Sequence, residues 1–295
     1  MSEYVLSCCS TADLTKEHFD RRNISYICFH YFLDGKQYPD DLGQSIPFAD
    51  FYKAMENGAD TSTSQINVSE YLAYFTSILE QGKDLLHVSL SSGLSGSVQS
   101  ATTAAQMARE QFPDRKLYVV DSLAAASGFG LLMDKAADLR DEGKTIDEVK
   151  EWIEANRLKM HHWFFSTDLT FFVKGGRVSK TAGVVGGMLN ICPLMNVDKE
   201  GHLIVRKKCV GKKKVISEIV ARMTEFADDR LDYSGKCYLC HSACLDDAKT
   251  VAAAVERTFP NLDGTVQIYD IGTTIGSHTG PGTVALFFWG DERVD

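Results

Sequence analysis

The chain has 295 residues, 44% hydrophobic and 24% charged, with six prolines, which is ample for a buried core and excludes a disulfide-only scaffold or a disordered chain. Its 31 Lys and Arg against 40 Asp and Glu give a net charge of -9, a field that repels polyphosphate, so no nucleic acid partner is expected. No stretch reaches the roughly 18 apolar residues of a membrane span, and residues 1–6 lack an export signal, so the expectation is no stable membrane insertion, a cytoplasmic location and eight free cysteines.

Residues 4–8 read as an apolar strand, followed by the capping side chains of Ser10-Thr11-Ala12-Asp13 and a helix over 14–22. The β-branched and aromatic run 24–32 reads as one strand closed by Asp34-Gly35-Lys36, and helical spacing follows over 47–58 and 69–82. A strand over 84–90 runs into a serine-rich turn and a helix over 98–112. The strand 117–121 and a helix to Leu139 repeat that pattern, and Thr145-Ile146-Asp147-Glu148 is a capping box opening a helix to about Leu158. From His161 the pattern changes to a strand at 163–166, a glycine turn, a helix over 181–189, and a β-hairpin of 191–197 and 202–209 joined across Asp198-Lys199-Glu200-Gly201. Helices over 215–226 and 246–259 and strands near 237–240, 266–269 and 283–289 complete the chain. The expected fold class is α/β, in two α/β lobes. Residues 1–160 form the first on a parallel-type sheet and 161–295 the second on a mixed sheet with a β-hairpin.

Candidate chemistry gathers in turns rich in glycine and hydroxyls. In Ser91-Ser92-Gly93-Leu94-Ser95-Gly96-Ser97 a strand-to-helix turn offers backbone N–H groups and Ser hydroxyls to an anion. N-capping is the plainer reading, but four serines in seven residues favour binding. A nucleophile elbow would need glycine where Ser97 stands, and no phosphate loop of the G-x-x-x-x-G-K-[ST] type occurs. Thr61-Ser62-Thr63-Ser64-Gln65 is a second hydroxyl cluster, read as an exposed loop between helices. Ile275-Gly276-Ser277-His278-Thr279-Gly280-Pro281-Gly282 sets one imidazole in an irregular, rigid loop, suited to donating to a carboxylate or phosphate. Lys174-Gly175-Gly176-Arg177 puts a guanidinium beside a flexible turn. Cys237-x-x-Cys240-His241-x-x-Cys244 has metal-like spacing, yet strand alternation sends Cys237 and Cys240 to opposite faces, so no metal is assigned. Arg206-Lys207-Lys208 with Lys212-Lys213-Lys214 is a basic cluster, either a solvated face or a dock for an acidic partner.

Ser10-Thr11-Ala12-Asp13-Leu14, Thr63-Ser64-Gln65, the stretch from Ser91 to Ser100, Lys174-Gly175-Gly176-Arg177 and the His278 loop, in that order over nearly the whole chain, resemble the DegV family. The resemblance implies a two-lobed protein holding one long-chain fatty acid, with no catalytic residue, metal or other cofactor. It implies a carrier that presents the carboxylate to a separate ATP-binding fatty acid kinase subunit, a step of phospholipid metabolism. By position, Thr63 and Ser95 look like the hydroxyls that hold the carboxylate, with Ser64, Gly96, Arg177 and His278 completing the binding set. Cys9 stands where the family usually has an acidic residue, and Ile66 where it has proline. Val184-Val185-Gly186-Gly187-Met188-Leu189, Phe164-Phe165 and Phe171-Phe172 are candidate tail lining. The alternative reading is a serine hydrolase of acyl or phosphoryl esters with Ser95 as nucleophile, His278 as base and Asp270 as its orienter.

Overall fold

The computed structural model describes residues 4–178 and 190–294. In chain order the first half comprises β1 (Tyr4–Cys9), α1 (Lys16–Arg21), β2 (Ile24–Ile27), β3 (His30–Leu33), β4 (Lys36–Pro39), α2 (Phe48–Glu56), β5 (Thr61–Ser64), α3 (Val68–Leu79), β6 (Asp84–Ser89), α4 (Ser97–Gln111), β7 (Leu117–Asp121), α5 (Ala126–Asp141) and α6 (Ile146–Asn156). There follow β8 (Met160–Ser166), α7 (Thr170–Lys174), β9 (Ile191–Val197), β10 (Leu203–Val210), α8 (Lys212–Phe226), β11 (Tyr238–His241), α9 (Leu245–Thr258), β12 (Gln267–Asp270), α10 (Thr273–Thr279) and β13 (Thr283–Trp289). No helix among the described residues is long and apolar enough to cross a membrane.

The first sheet is wholly parallel, in the order β2-β1-β6-β7. Its β6 is buried along its whole length, as a parallel strand covered by helices on both faces must be. The second sheet is mixed, in the order β10-β9-β8-β13-β11-β12, and contains the antiparallel hairpin of β9 and β10. Local chemistry places the helix ends: Thr145 and Glu148 form the capping box of α6, and Asn67 and Glu70 form another at α3.

Two expectations fail in the first half. The run 24–32 is two strands, because the chain leaves the parallel sheet at Cys28-Phe29, where the Phe29 N–H donates to Ser10 Oγ at 3.1 Å. The hydroxyl cluster at 61–64 is a strand rather than a loop. β3 pairs with β4 on one side and β5 on the other, making a small third sheet that covers Tyr31, Phe51, Tyr52 and Met55.

One apolar core runs from the parallel sheet to the inner face of the mixed sheet, taking in Leu86, Phe129, Met160 and Phe287. A second lies on the outer face under α8 and α9, with Phe165, Ile219, Val251 and Leu286. Each such fully buried side chain contributes about 1.5–3 kcal/mol.

Candidate functional site

Alternation along β13 decides what faces inward. Val284, Leu286 and Phe288 enter the outer core, so Thr283, Ala285 and Phe287 point back toward the first lobe. The register extends that face: Ala285 lies opposite Phe164 on β8 and Cys240 on β11, and Phe287 lies opposite His162. These side chains floor a cavity of about 500 Å³, within the range of small-ligand sites. Ala125 and Ala126 at the start of α5, with Ala285 and Cys240 on the floor, are small residues that leave the space open. The cavity is buried and apolar along this floor, and its half-exposed rim is polar.

Every sequence-predicted binding residue lies on that rim or wall: Thr63 and Ser64 from β5, Ser95 and Gly96 before α4, Arg177 after α7, and His278 on α10. The His278 segment was expected to be an irregular loop, and the structure makes it a helix up to Thr279, with Gly280 at φ 67° ending it. His278 Nε2 lies 2.7 Å from Thr63 Oγ1, and its Nδ1 lies 3.4 Å from Arg177 Nη1. A guanidinium only donates, so Nδ1 accepts, the ring proton sits on Nε2, and Nε2–H donates to Thr63. That leaves the Thr63 hydroxyl hydrogen for a ligand. Burial, reinforced by the Arg177 cation, lowers the His278 pKa to about 4, so the ring is neutral at pH 7.

Ser95 Oγ accepts from the Ser97 N–H at 3.2 Å, but the N-cap of α4 is Gly96 and carries no side-chain cap, so the plain capping reading does not hold and the Ser95 O–H remains a donor toward the cavity. The other three serines of the turn do not converge as expected. Ser91 donates to the Gly201 carbonyl at 3.0 Å, Ser97 bonds the Tyr71 hydroxyl at 2.6 Å, and Ser92 is exposed. Arg177 donates to the carbonyls of Gly175 at 2.5 Å and Leu94 at 3.1 Å, which staples its turn to the serine turn. The arrangement is one hydroxyl donor set by a neutral imidazole, a second hydroxyl donor from the serine turn, and one cation beside the ring, suited to accepting a carboxylate.

Asp270 does not orient His278. It faces His241 at 3.7 Å, and the His278 ring nitrogen a triad would give to a carboxylate faces a guanidinium instead. Of the aromatic pairs, Phe164 and Phe172 line the cavity, Phe165 enters the outer core and Phe171 packs on the small third sheet. The expected helix over 181–189 and the lining at 184–189 fall outside the described residues. In the basic cluster Lys207 and Lys214 pair with Glu218 at 2.9 Å, and Lys212 with Asp247 at 2.6 Å, so much of its charge is neutralised within the chain. All eight cysteines are free, with Cys237 in the outer core and Cys240 at the cavity. Phe164 apart, the residues of the floor are those that sequence reasoning missed, His162 and Cys240 among them. The unbroken apolar run of β13, which demands cover on both faces, was a signal for the floor, and nothing local marks His162.

A family model described as "Uncharacterised protein, DegV family" matches residues 9–291. The DegV domain-containing protein of Clostridium perfringens is 33% identical over 293 residues, covering 99% of each chain. Among solved structures, the chain is similar to a DegV family protein of Thermus thermophilus described as binding fatty acid. That protein is 28% identical with a TM-score of 0.87, and the match covers 99% of this chain and 100% of that one. It is also similar to a DegV lipid-binding protein of Thermotoga maritima, 26% identical with a TM-score of 0.82 over 99% of both chains. With Thr63, Ser95, Arg177 and His278 of four of its motifs on one rim and this likeness along its whole length, the chain belongs to the DegV family.

Proposed function

We propose that this protein is a non-catalytic carrier that binds one long-chain fatty acid in the cytoplasm and presents its carboxylate to an ATP-binding kinase subunit for acyl phosphate formation. The observation that carries the reading is the division of the cavity, with hydroxyl donors from two separate segments, an imidazole and a guanidinium at the rim and a buried apolar sheet face beneath. A carboxylate removed from water without partners costs several kcal/mol, which Ser95, Thr63 and the Arg177 charge offset. The tail supplies affinity: at about 0.8 kcal/mol per buried CH₂, fifteen or so methylenes give on the order of 12 kcal/mol before the costs of association. The fatty-acid and lipid binding recorded for the Thermus and Thermotoga relatives supports the ligand class. Support for presentation is the half-exposed rim, where a second enzyme reaches the carboxylate without unfolding the carrier.

Native mass spectrometry of the purified protein should find one long-chain acid per chain, and failure to take up either palmitate or oleate would overturn the reading. Ser95→Ala and Thr63→Ala should each weaken palmitate binding by roughly ten- to a hundredfold, the value of one hydrogen bond to a charged group. Unchanged affinity in both would refute the head-group assignment. ATP should give acyl phosphate only when a fatty acid kinase subunit is added, and product from the protein alone would refute the carrier role.

A further inference from the structure

We infer that Asp40 is a positioning residue for the head-group pair: from the small third sheet it grips the start of α10, so that Thr63 and His278 meet. This role rests on the fatty-acid reading above. By composition α10 is a poor helix, with three threonines, an isoleucine and a glycine in seven residues, and its N-cap, Gly272, has no side chain to cap it. A carboxylate 233 residues away stands in. The Thr273 hydroxyl donates to Asp40 Oδ1 at 2.8 Å, and the Thr274 N–H donates to Oδ2 at 3.3 Å. The Ser10 hydroxyl donates to the same Oδ2 at 3.3 Å, and the Asp40 N–H donates to the Phe29 carbonyl at 2.8 Å. Asp40 is 1% exposed, so these donors replace water around its charge. Asp13 lies against the same backbone, where a Cβ added to Gly272 would come within 2.6 Å of its Oδ1.

The contacts close a ring. Asp40 directly follows β4, and in the sheet Tyr31 of β3 lies opposite both Tyr38 of β4 and Thr63 of β5. On α10, Thr274 and His278 are four residues apart and share a face, which lines the cavity. The sheet therefore holds the helix at two ends, by Asp40 at 273–274 and by Thr63 at 278. The Tyr52 hydroxyl, donating to the Ile271 carbonyl at 2.7 Å, adds a third tie. Without the Asp40 grip, α10 turns about its remaining ties, and the Nε2–H bond that points the Thr63 hydroxyl hydrogen at the ligand is lost. Asp40 is not among the residues lining the cavity and acts through the helix.

The test compares affinity for palmitate with affinity for hexadecanol, which has the same tail and no charge. Asp40→Asn should lower the palmitate-to-hexadecanol preference by about tenfold, and Thr273→Val, which leaves Asp40 charged and removes one donor, by about threefold. Hexadecanol affinity should stay within about twofold of wild type, since tail burial is untouched. General loosening of the fold would weaken both ligands alike, and that result overturns the assignment, as does an unchanged preference in Thr273→Val. Should Asp40→Asn fail to fold, Thr273→Val decides alone. Wild-type protein that takes up neither lipid sinks the fatty-acid reading, and this role with it. Wild-type binding with preferences unmoved in both variants sinks only the role of Asp40.

Discussion

At the rim, the direction of each proton matters more than the distance between heavy atoms. Arg177 has no acceptor, so whichever nitrogen of His278 it faces must be the lone-pair nitrogen, and the other must carry hydrogen. Thr63 thereby becomes a net donor to a ligand carboxylate, a role that would be reversed if the imidazole tautomer flipped. Arg177→Met keeps the apolar stem while removing both the charge and the donors. The His278 pKa, held near 4 by burial and then by this cation, should rise in the variant as one of its two depressing causes disappears. Palmitate affinity should fall by about tenfold, the loss of one oriented charge-assisted contact. Titration of the His278 ring by NMR reads the first effect, and a pKa that stays put would show that Arg177 does not set the state of the ring.

Among the elements, the serine turn is held by how closely two backbones approach. A Cβ on Gly93 would lie 2.7 Å from the Gly201 carbonyl carbon and oxygen, in the turn of the β9–β10 hairpin, and backbone there cannot step aside cheaply. A Cβ on Gly96 would meet the Gln65 side-chain oxygen at 2.8 Å, the far end of a flexible and exposed residue. Gly93→Ala should therefore cost about 1–3 kcal/mol of stability and Gly96→Ala well under that, a contrast chemical denaturation reads directly. Equal losses would mean that the hairpin does not brace the turn. The same distinction separates what was legible in the sequence from what was not. The hairpin, the Thr145 capping box and β13 are written in local spacing, and they stand where that spacing puts them. The strand at Thr61–Ser64 has no apolar alternation to announce it, and α10 is made of weak helix formers held by a carboxylate from the other end of the chain. The rim residues were named by family likeness. Which hydroxyls face the ligand depends on partners such as Gly201 for Ser91 and Tyr71 for Ser97, which no motif contains.

For the molecule as a whole, buried histidines set the response to acid. Burial lowers the pKa of His87 to about 3 and of His161 and His278 to about 4, holds His162 well below its ordinary value, and lowers His241. In the unfolded chain all five return to about 6.5, so as pH falls from about 6.5 toward 4.5 the unfolded state takes up protons that the native state refuses. Stability therefore falls with pH across that window. Asp13 and Asp40 act in the opposite sense, because burial raises both and their native forms bind protons before their unfolded forms do. Asp134, held below the usual carboxylate range against its own burial by His18, Lys236 and Arg22, loses its contribution only below about pH 4. The lowered histidines outnumber the raised carboxyls Asp13, Asp40 and Asp228, so the excess of protons lies on the unfolded side. The melting temperature should drop by several degrees between pH 7 and pH 5. His161 stacks between Phe226 and Phe288 with ring centroids 5.4 and 5.1 Å away, so His161→Phe preserves the stack and removes one proton from the balance. Its slope of stability against pH should be shallower than that of wild type. A slope that does not change, or a wild-type melting temperature that rises on acidification, would mean that the carboxyls govern the acid response.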